Sequence, residues 1–462
     1  MSSKEKMDNI LYYEAREKIE SLWIDNKSVS HDFANGKGRI VLKNSAKKID
    51  DFGFPELISV VIPDSVAEIG VNAFEDCASM REVKIGDSVK KIGDFAFFGC
   101  RGLTSVVIPD SVTEIGCGAF ECCEKLRTLK IGSSVKKIDD LAFADCCALS
   151  SITVSEGNLK YDSRDGCNSV IETASNTLVL GSDNTVIPDS VSEIGNNAFA
   201  GRRSLTSIDI PESVTKIGHS AFTDCTGLVS LVIPDSVKEI KSRAFAGCNS
   251  LRSVSFGKNV TKIGKNIFFC CESLSLIRVS EGNRKYDSRD GCNAVIETAT
   301  DTLAVGCERS VIPYSVTKIG NNAFYGCTTL TSVEIPDSVT EIGEEAFSWC
   351  TRLTSVRIPN SVEKIGSGAF SICNALTSVV IPASIEEISC RAFCGCSNLM
   401  SVVITDSVEE IGSLAFAYCN KLKFVVIPHS VETIGEDAFK GCGNLLEETR
   451  IKICEMTKHR IF

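Results

Sequence analysis

The stretch Leu103-Thr-Ser-Val106-Val-Ile108-Pro109-Asp-Ser111-Val112-Thr-Glu-Ile115-Gly116-Cys-Gly-Ala119-Phe120-Glu-Cys-Cys123 decides how this chain folds. Val106 and Ile108 alternate with Ser105 and Val107, the period-two pattern of a short strand with one buried face. Pro109 offers no N–H to a ladder and ends that strand. Val112 and Ile115 turn inward again on a second extended segment. Gly116 permits a tight bend into Ala119-Phe120, read as a single helical turn that ends at Cys123. Leu126 closes the coil and opens the next copy, 23 residues after Leu103.

Working outward, the Phe of this unit recurs in fourteen copies from Phe74 to Phe439 with no substitution, and ten of the eleven prolines fall at one repeat position. Two steps measure 56 residues instead of 23, from Phe143 to Phe199 and from Phe268 to Phe324. Each contains 33 extra residues, near 154–186 and 279–311, and the two inserts match at an offset of 125. A block of coils was duplicated together with its insert. About eight inward apolar residues per coil cannot form a core alone, but stacked on identical neighbours they form a continuous one. The expectation is therefore a repeat solenoid over residues 37–446, with a shortened first copy carrying Ile49 and Phe54. Met7, Ile10, Leu11, Ala15, Ile19 and Leu22 fit one helical face, so residues 1–36 read as an N-terminal helical cap. The charged segment 447–462 reads as a fraying tail.

These positions, taken together, resemble the BspA-like leucine-rich repeats of the 23-residue, Treponema type. That unit reads Leu-x-x-Val-x-Ile-Pro-x-Ser-Val-x-x-Ile-Gly-x-x-Ala-Phe-x-x-Cys, and the match runs over roughly residues 40–445. The inserts are similar to elongated units of the family, with Asn-x-x-Tyr-x-Ser-x-x-Gly at Asn158 and Asn283. The resemblance implies a right-handed leucine-rich-repeat superhelix or horseshoe of short parallel strands, second short strands or turns, and single-turn helices. It also implies a non-enzymatic scaffold of surface proteins that bind host matrix proteins or other cells, and it carries over no catalytic residue.

Composition narrows the function classes. With 462 residues, 43% hydrophobic and 24% charged, the chain is a folded protein. A formal charge of −11 opposes nucleic-acid binding, which calls for clustered Lys and Arg. No signal peptide or membrane span is visible, which points to a cytoplasmic address, whereas the resemblance points to the cell surface. Thirteen of the 23 cysteines stand three residues after a repeat Phe, where a ladder of buried free thiols is expected. Parallel Cβ vectors about 4.8 Å apart would strain a disulfide. Cys117 with Cys122, and Cys390, Cys394 and Cys396, lack the paired spacing of zinc hooks. His31, His219, His429 and His459 share no repeat position, so no nucleophile pair is indicated. The Tyr161-Asp-Ser-Arg-Asp-Gly166 segment is too poor in carboxylates for a calcium loop and reads as a turn, followed by a hairpin. No cofactor and no metal are expected.

One column varies while the scaffold stays constant. The outward position of the first strand carries Val107, Lys130, Asp209, Val232, Arg278, Glu334, Arg357, Val380, Val403 and Val426, among others. These residues form the candidate binding face, with Val380, Val403 and Val426 as an apolar stripe. Ordinary β-propensity accounts for such valines equally well. The expected partner is a protein or glycan on the concave strand face of a monomer. The intracellular alternative is a recognition or inhibitor protein kept reduced.

Overall fold

The computed structural model describes residues 9–19, 27–50, 52 and 54–457. It is a parallel β-solenoid of about 17 turns with little helix. The chain divides into two compact units, Met1–Leu228 and Val229–Phe462.

In the first unit, Ser105–Val107 pairs in parallel with Thr128–Ile131, which pairs with Ser151–Val154, so Val106, Leu129 and Ile152 stack inward. The second segment of each coil builds its own ladder, Lys48–Ile49, Glu68–Ile69, Lys91–Ile92, Glu114–Ile115 and Lys137–Ile138. Its inner column is isoleucine throughout. Its outer column alternates Lys, Glu, Lys, Glu, Lys, so every cross-strand neighbour is of opposite charge. Lys48 lies 3.4 Å from Glu68 and Lys91 3.8 Å from Glu114. The corner between the two ladders is pinned by side chains. Ser111 Oγ donates to the Val89 carbonyl at 2.7 Å, and Asp110 Oδ1 accepts from the Ser133 N–H at 2.7 Å.

The single helical turn expected at Ala119-Phe120 is replaced by two tight turns. Gly118 has φ +58° and Cys122 φ +60°, and the same two positions are left-handed in the other coils, even at Leu141 (φ +60°) and Trp349 (φ +63°). The reason lies between coils. This conformation aims the N–H groups of Gly118, Phe120 and Cys122 at the carbonyls of Asp140, Ala142 and Ala144, at 3.2, 2.8 and 3.0 Å. A helical turn would direct those donors along its own chain and leave the neighbouring coil's carbonyls unpaired.

Phenylalanine rings fill the interior as a stack, with Phe97 and Phe120 4.9 Å apart and Phe120 and Phe143 5.2 Å apart. The first coil differs from expectation. Phe52, fully buried and 5.5 Å from Phe74, takes the ladder position, while Phe54 is half-buried beside it. The coil is shorter than the others, so the ring two residues earlier reaches the stack.

The N-terminal cap is not the expected helix over its described part. Ile10–Ala15, Ser28–Ala34 and Lys37–Leu42 are strands, and Ile10–Ala15 pairs antiparallel with Leu57–Val61. The exposed edge of the first coil wants backbone partners, and a strand supplies them where a helix does not. Met7 and Leu22 lie outside the described residues. The C-terminal segment also differs. Glu447–Thr457 forms a helix whose Ile453 is buried in the core of the second unit, with Met456 packed against it. Among the described residues, no helix is long and apolar enough to cross a membrane.

Each insert is a hairpin with a carboxamide corner. Asn158 Nδ2 donates to the Gly132 and Val135 carbonyls at 2.9 and 3.1 Å, and its Oδ1 accepts from the N–H groups of Lys160 and Tyr161. Asn283 repeats this in the second unit. As expected, Ser169–Glu172 pairs antiparallel with Thr177–Gly181, and the latter rejoins the array beside Glu193–Ile194. The carboxylate of Asp162 is held by the Arg164 guanidinium at 2.6–2.8 Å, and Asp287 is held likewise by Arg289.

Candidate binding face

All ten side chains of the varied column are exposed, and their chain neighbours Val106, Leu129, Val379, Val402 and Val425 are buried. Nine of the ten stand on strands. Asp209 does not, because Ser207–Ile210 forms no strand in the coil after the first insert.

The column falls into separate groups. Val107 and Lys130 share one sheet, and Val232 shares another with Arg278 through Ser255. Glu334 stands directly across from Arg357 in the register, and the Arg357 guanidinium lies 3.6 Å from the Asp337 carboxylate. Only the last group is uniformly apolar. Ser378–Val380, Ser401–Val403 and Phe424–Val426 pair in register, which places Val380, Val403 and Val426 in one line. They are 57%, 48% and 67% exposed.

Two further residues widen that line. Phe424 is exposed where Ser378 and Ser401 occupy its column, and Met400 is exposed one position earlier in the coil. The Lys423 ammonium lies 5.2 Å above the Phe424 ring. Beside them, Phe424, Val426, Leu446, Thr449 and Lys452 line a cavity of about 330 Å³ walled by the C-terminal helix. The signal for Phe424 was present in the sequence as a break in a serine column. The cavity was not, since it depends on the helix.

The thiols are placed as hydrogen-bond donors. All 23 cysteines are free, and of the thirteen in the ladder only Cys271 and Cys327 are less than fully buried. Cys123 Sγ lies 3.3 Å from the carbonyl of Phe97, one coil earlier, and Cys146, Cys225, Cys350, Cys396 and Cys442 reach Phe carbonyls in the same way at 3.1–3.2 Å. Where Arg202 replaces the Cys, the buried guanidinium donates to the carbonyls of Gly181, Ala200, Phe143 and Cys146 at 2.8–3.4 Å. Glu121, Cys122 and Asp145 bring three possible ligand atoms within 4.8 Å. Burial pushes the Cys122 thiol up to about 11, and Asp145 is paired with Arg203 at 3.3 Å. Three donors, one a thiol that burial keeps protonated and one a carboxylate paired with Arg203, do not make a four-ligand structural zinc site.

Comparison with known proteins agrees with this architecture. The family model described as BspA type leucine-rich repeat region matches in six copies over residues 40–169, 181–289 and 308–448. The chain belongs to the BspA-type leucine-rich repeat family and is a repeat-protein scaffold. Among solved structures it is similar to a leucine-rich cell surface protein from Faecalibacterium prausnitzii, 28% identical over 86% of this chain and 85% of that one, with a TM-score of 0.41. It is also similar to a leucine-rich repeat protein from Bacteroides ovatus, 24% identical over 92% and 89%, TM-score 0.39. A third is the pneumococcal vaccine antigen PcpA, 18% identical over 94% and 98%, TM-score 0.48. No curated protein matches the chain.

Proposed function

We propose that this protein is a non-enzymatic binding scaffold whose working surface is the outward strand column, centred on Val380, Val403 and Val426. The observation that supports this most is the uniform apolar line in three successive coils, widened by Phe424 and Met400 and bordered by a cavity. Elsewhere an apolar member of the column stands beside a polar or charged one, as Val107 beside Lys130 and Val232 beside Ser255. Apolar side chains aligned on a solvent-facing sheet, with buried alternates holding them rigid, favour a protein ligand that covers them. The family to which the chain belongs favours a surface adhesin that contacts matrix proteins, or a glycan, on this face. The free thiols favour a second reading, an intracellular recognition or inhibitor protein in a reducing compartment.

Two experiments separate these readings. Solid-phase capture of purified matrix proteins and glycans should be lost in Val380→Asp/Val403→Asp while its thermal melt stays unchanged. Undiminished capture by that variant removes the stripe as the binding surface. Protease shaving of intact cells should digest the protein if it is an adhesin. Survival of the intact chain in the cytosolic fraction contradicts the surface reading and supports the intracellular one.

A further inference from the structure

Both inserts interrupt the array at the same point in the coil. At ordinary steps the turn donors reach the following coil, as Gly118 reaches Asp140 and Phe120 reaches Ala142. At the first insert the chain departs for the hairpin instead. The N–H groups of Leu141 and Phe143 then have no partner among the described residues, and the array closes again only where Asp145 donates to the Ala200 carbonyl at 3.3 Å. Between these points lies a cleft of about 240 Å³, lined by Asp139, Asp140, Leu141, Phe143, Val179 and Glu193 among others.

The second unit contains the same break with different side chains. Asn266 and Phe268, offset by 125, likewise donate to no described residue. There, however, Phe269 and Tyr325 replace Ala144 and Ala200, with their rings 5.4 Å apart and Trp349 edge-on to Phe269 at 6.4 Å. Lys265 replaces Asp140. The cleft is reduced to about 30 Å³, room for about one water molecule. One duplicated gap is thus filled from within, and the other stays open.

The chemistry of the open cleft selects its occupant. At ordinary steps the N–H groups of these two positions take carbonyls two residues apart on one backbone, as Gly118 takes Asp140 and Phe120 takes Ala142, so the open pair calls for alternate carbonyls of a polypeptide. Lys137 occupies Asp139 at 2.8 Å and Lys216 occupies Glu193 at 2.9 Å, while Asp140 has no ion pair among the described residues. That carboxylate favours a cation and opposes an anionic ligand. We infer that the cleft takes a basic polypeptide segment that offers two alternate carbonyls, pairing them with the N–H groups of Leu141 and Phe143 and a Lys or Arg with Asp140. This site is separate from the strand face and does not depend on it.

Fluorescence anisotropy of the full-length protein with the labelled peptide Ala-Lys-Val-Arg-Val-Lys-Ala tests this. Binding should be at least about ten-fold tighter than for the peptide with Glu at its basic positions. It should fall by a similar factor in Ala144→Phe/Ala200→Tyr/Asp140→Lys, a variant carrying side chains the second unit already accommodates. Hydrogen exchange should slow on peptide addition across 138–145 and not across 263–270. The inference is overturned if the triple variant melts as wild type and binds equally well, or if no amide in 138–145 gains protection. It is overturned too if spermine, which carries charge without carbonyls, displaces the peptide as readily as unlabelled peptide does. Should the triple variant fold poorly, Asp140→Asn with the exchange readout decides the matter. Val380→Asp/Val403→Asp should bind the peptide unchanged, which keeps failure of this site distinct from failure of the strand face.

Discussion

Cys123 and Arg202 do the same work with different chemistry: each donates to carbonyls that the coil geometry leaves facing inward. A buried guanidinium serves four carbonyls at once, so its removal leaves several acceptors unpaired. Arg202→Ala should cost at least about 3 kcal/mol, at roughly 1–3 kcal/mol per buried acceptor left unpaired, whereas Arg202→Cys, the residue found at Cys327, should cost clearly less. Chemical denaturation of the two variants checks this. The thiols also predict an alkaline limit. Burial pushes Cys123, Cys373 and Cys419 well above the usual thiol range. Each keeps its proton in the folded chain while the unfolded chain loses it above about pH 8.5. The stabilisation is therefore fully present below that pH and lost as pH climbs towards the raised folded values. The thermal midpoint should fall more steeply from about pH 9 to 10 than from about pH 7 to 8, and a flat profile would contradict the ladder. The ladder itself was legible because Cys follows Phe at fixed spacing. Its hydrogen-bond role was not, since the acceptor lies 26 residues back.

At the scale of the element, isoleucine sets the register of the short parallel strands, since Glu387 stands across from Glu410 in it, and alternating charge supports it in the first unit. Lys91, Glu114 and Lys137 are successive neighbours in one column. Glu114→Lys would place three ammonium groups in line and should cost about 0.5–1 kcal/mol per like pair. High salt should recover most of that loss, and a salt-independent effect would mean that packing, not charge, was disturbed. The strands were readable because period two and proline mark their extent. The turns were misread as helical because left-handed Asn72, Phe95, Leu141 and Trp349 share no side-chain signal; the neighbouring coil imposes the conformation. The N-terminal strand was misread for a related reason. Leu11, Tyr13 and Ala15 are buried in alternation, but Ile10 and Ile19 also complete a helical face. What decides is the open edge at Leu57–Val61, which no local pattern records.

At the scale of the whole molecule, a solenoid needs its ends covered, because each coil buries its core only against a neighbour. Ile453 fills that role in the second unit. Deleting residues 447–462 should expose the last coil and lower the onset of thermal aggregation, read by light scattering; an unchanged onset would make the helix dispensable. The repeated coil also explains how much of the working surface was legible. Constant positions declare the scaffold, so a column that varies stands out, and its ten residues are all exposed. Phe424, Met400 and the adjoining cavity needed the fold, because they are set by where the array stops. The most direct measurement is a hydrogen-exchange footprint of the full-length protein with a captured matrix ligand. The account predicts slowed exchange in peptides covering 378–380, 401–403 and 424–426, with the turn face unchanged. Protection confined to the turn face, or none along those three strands, would contradict it.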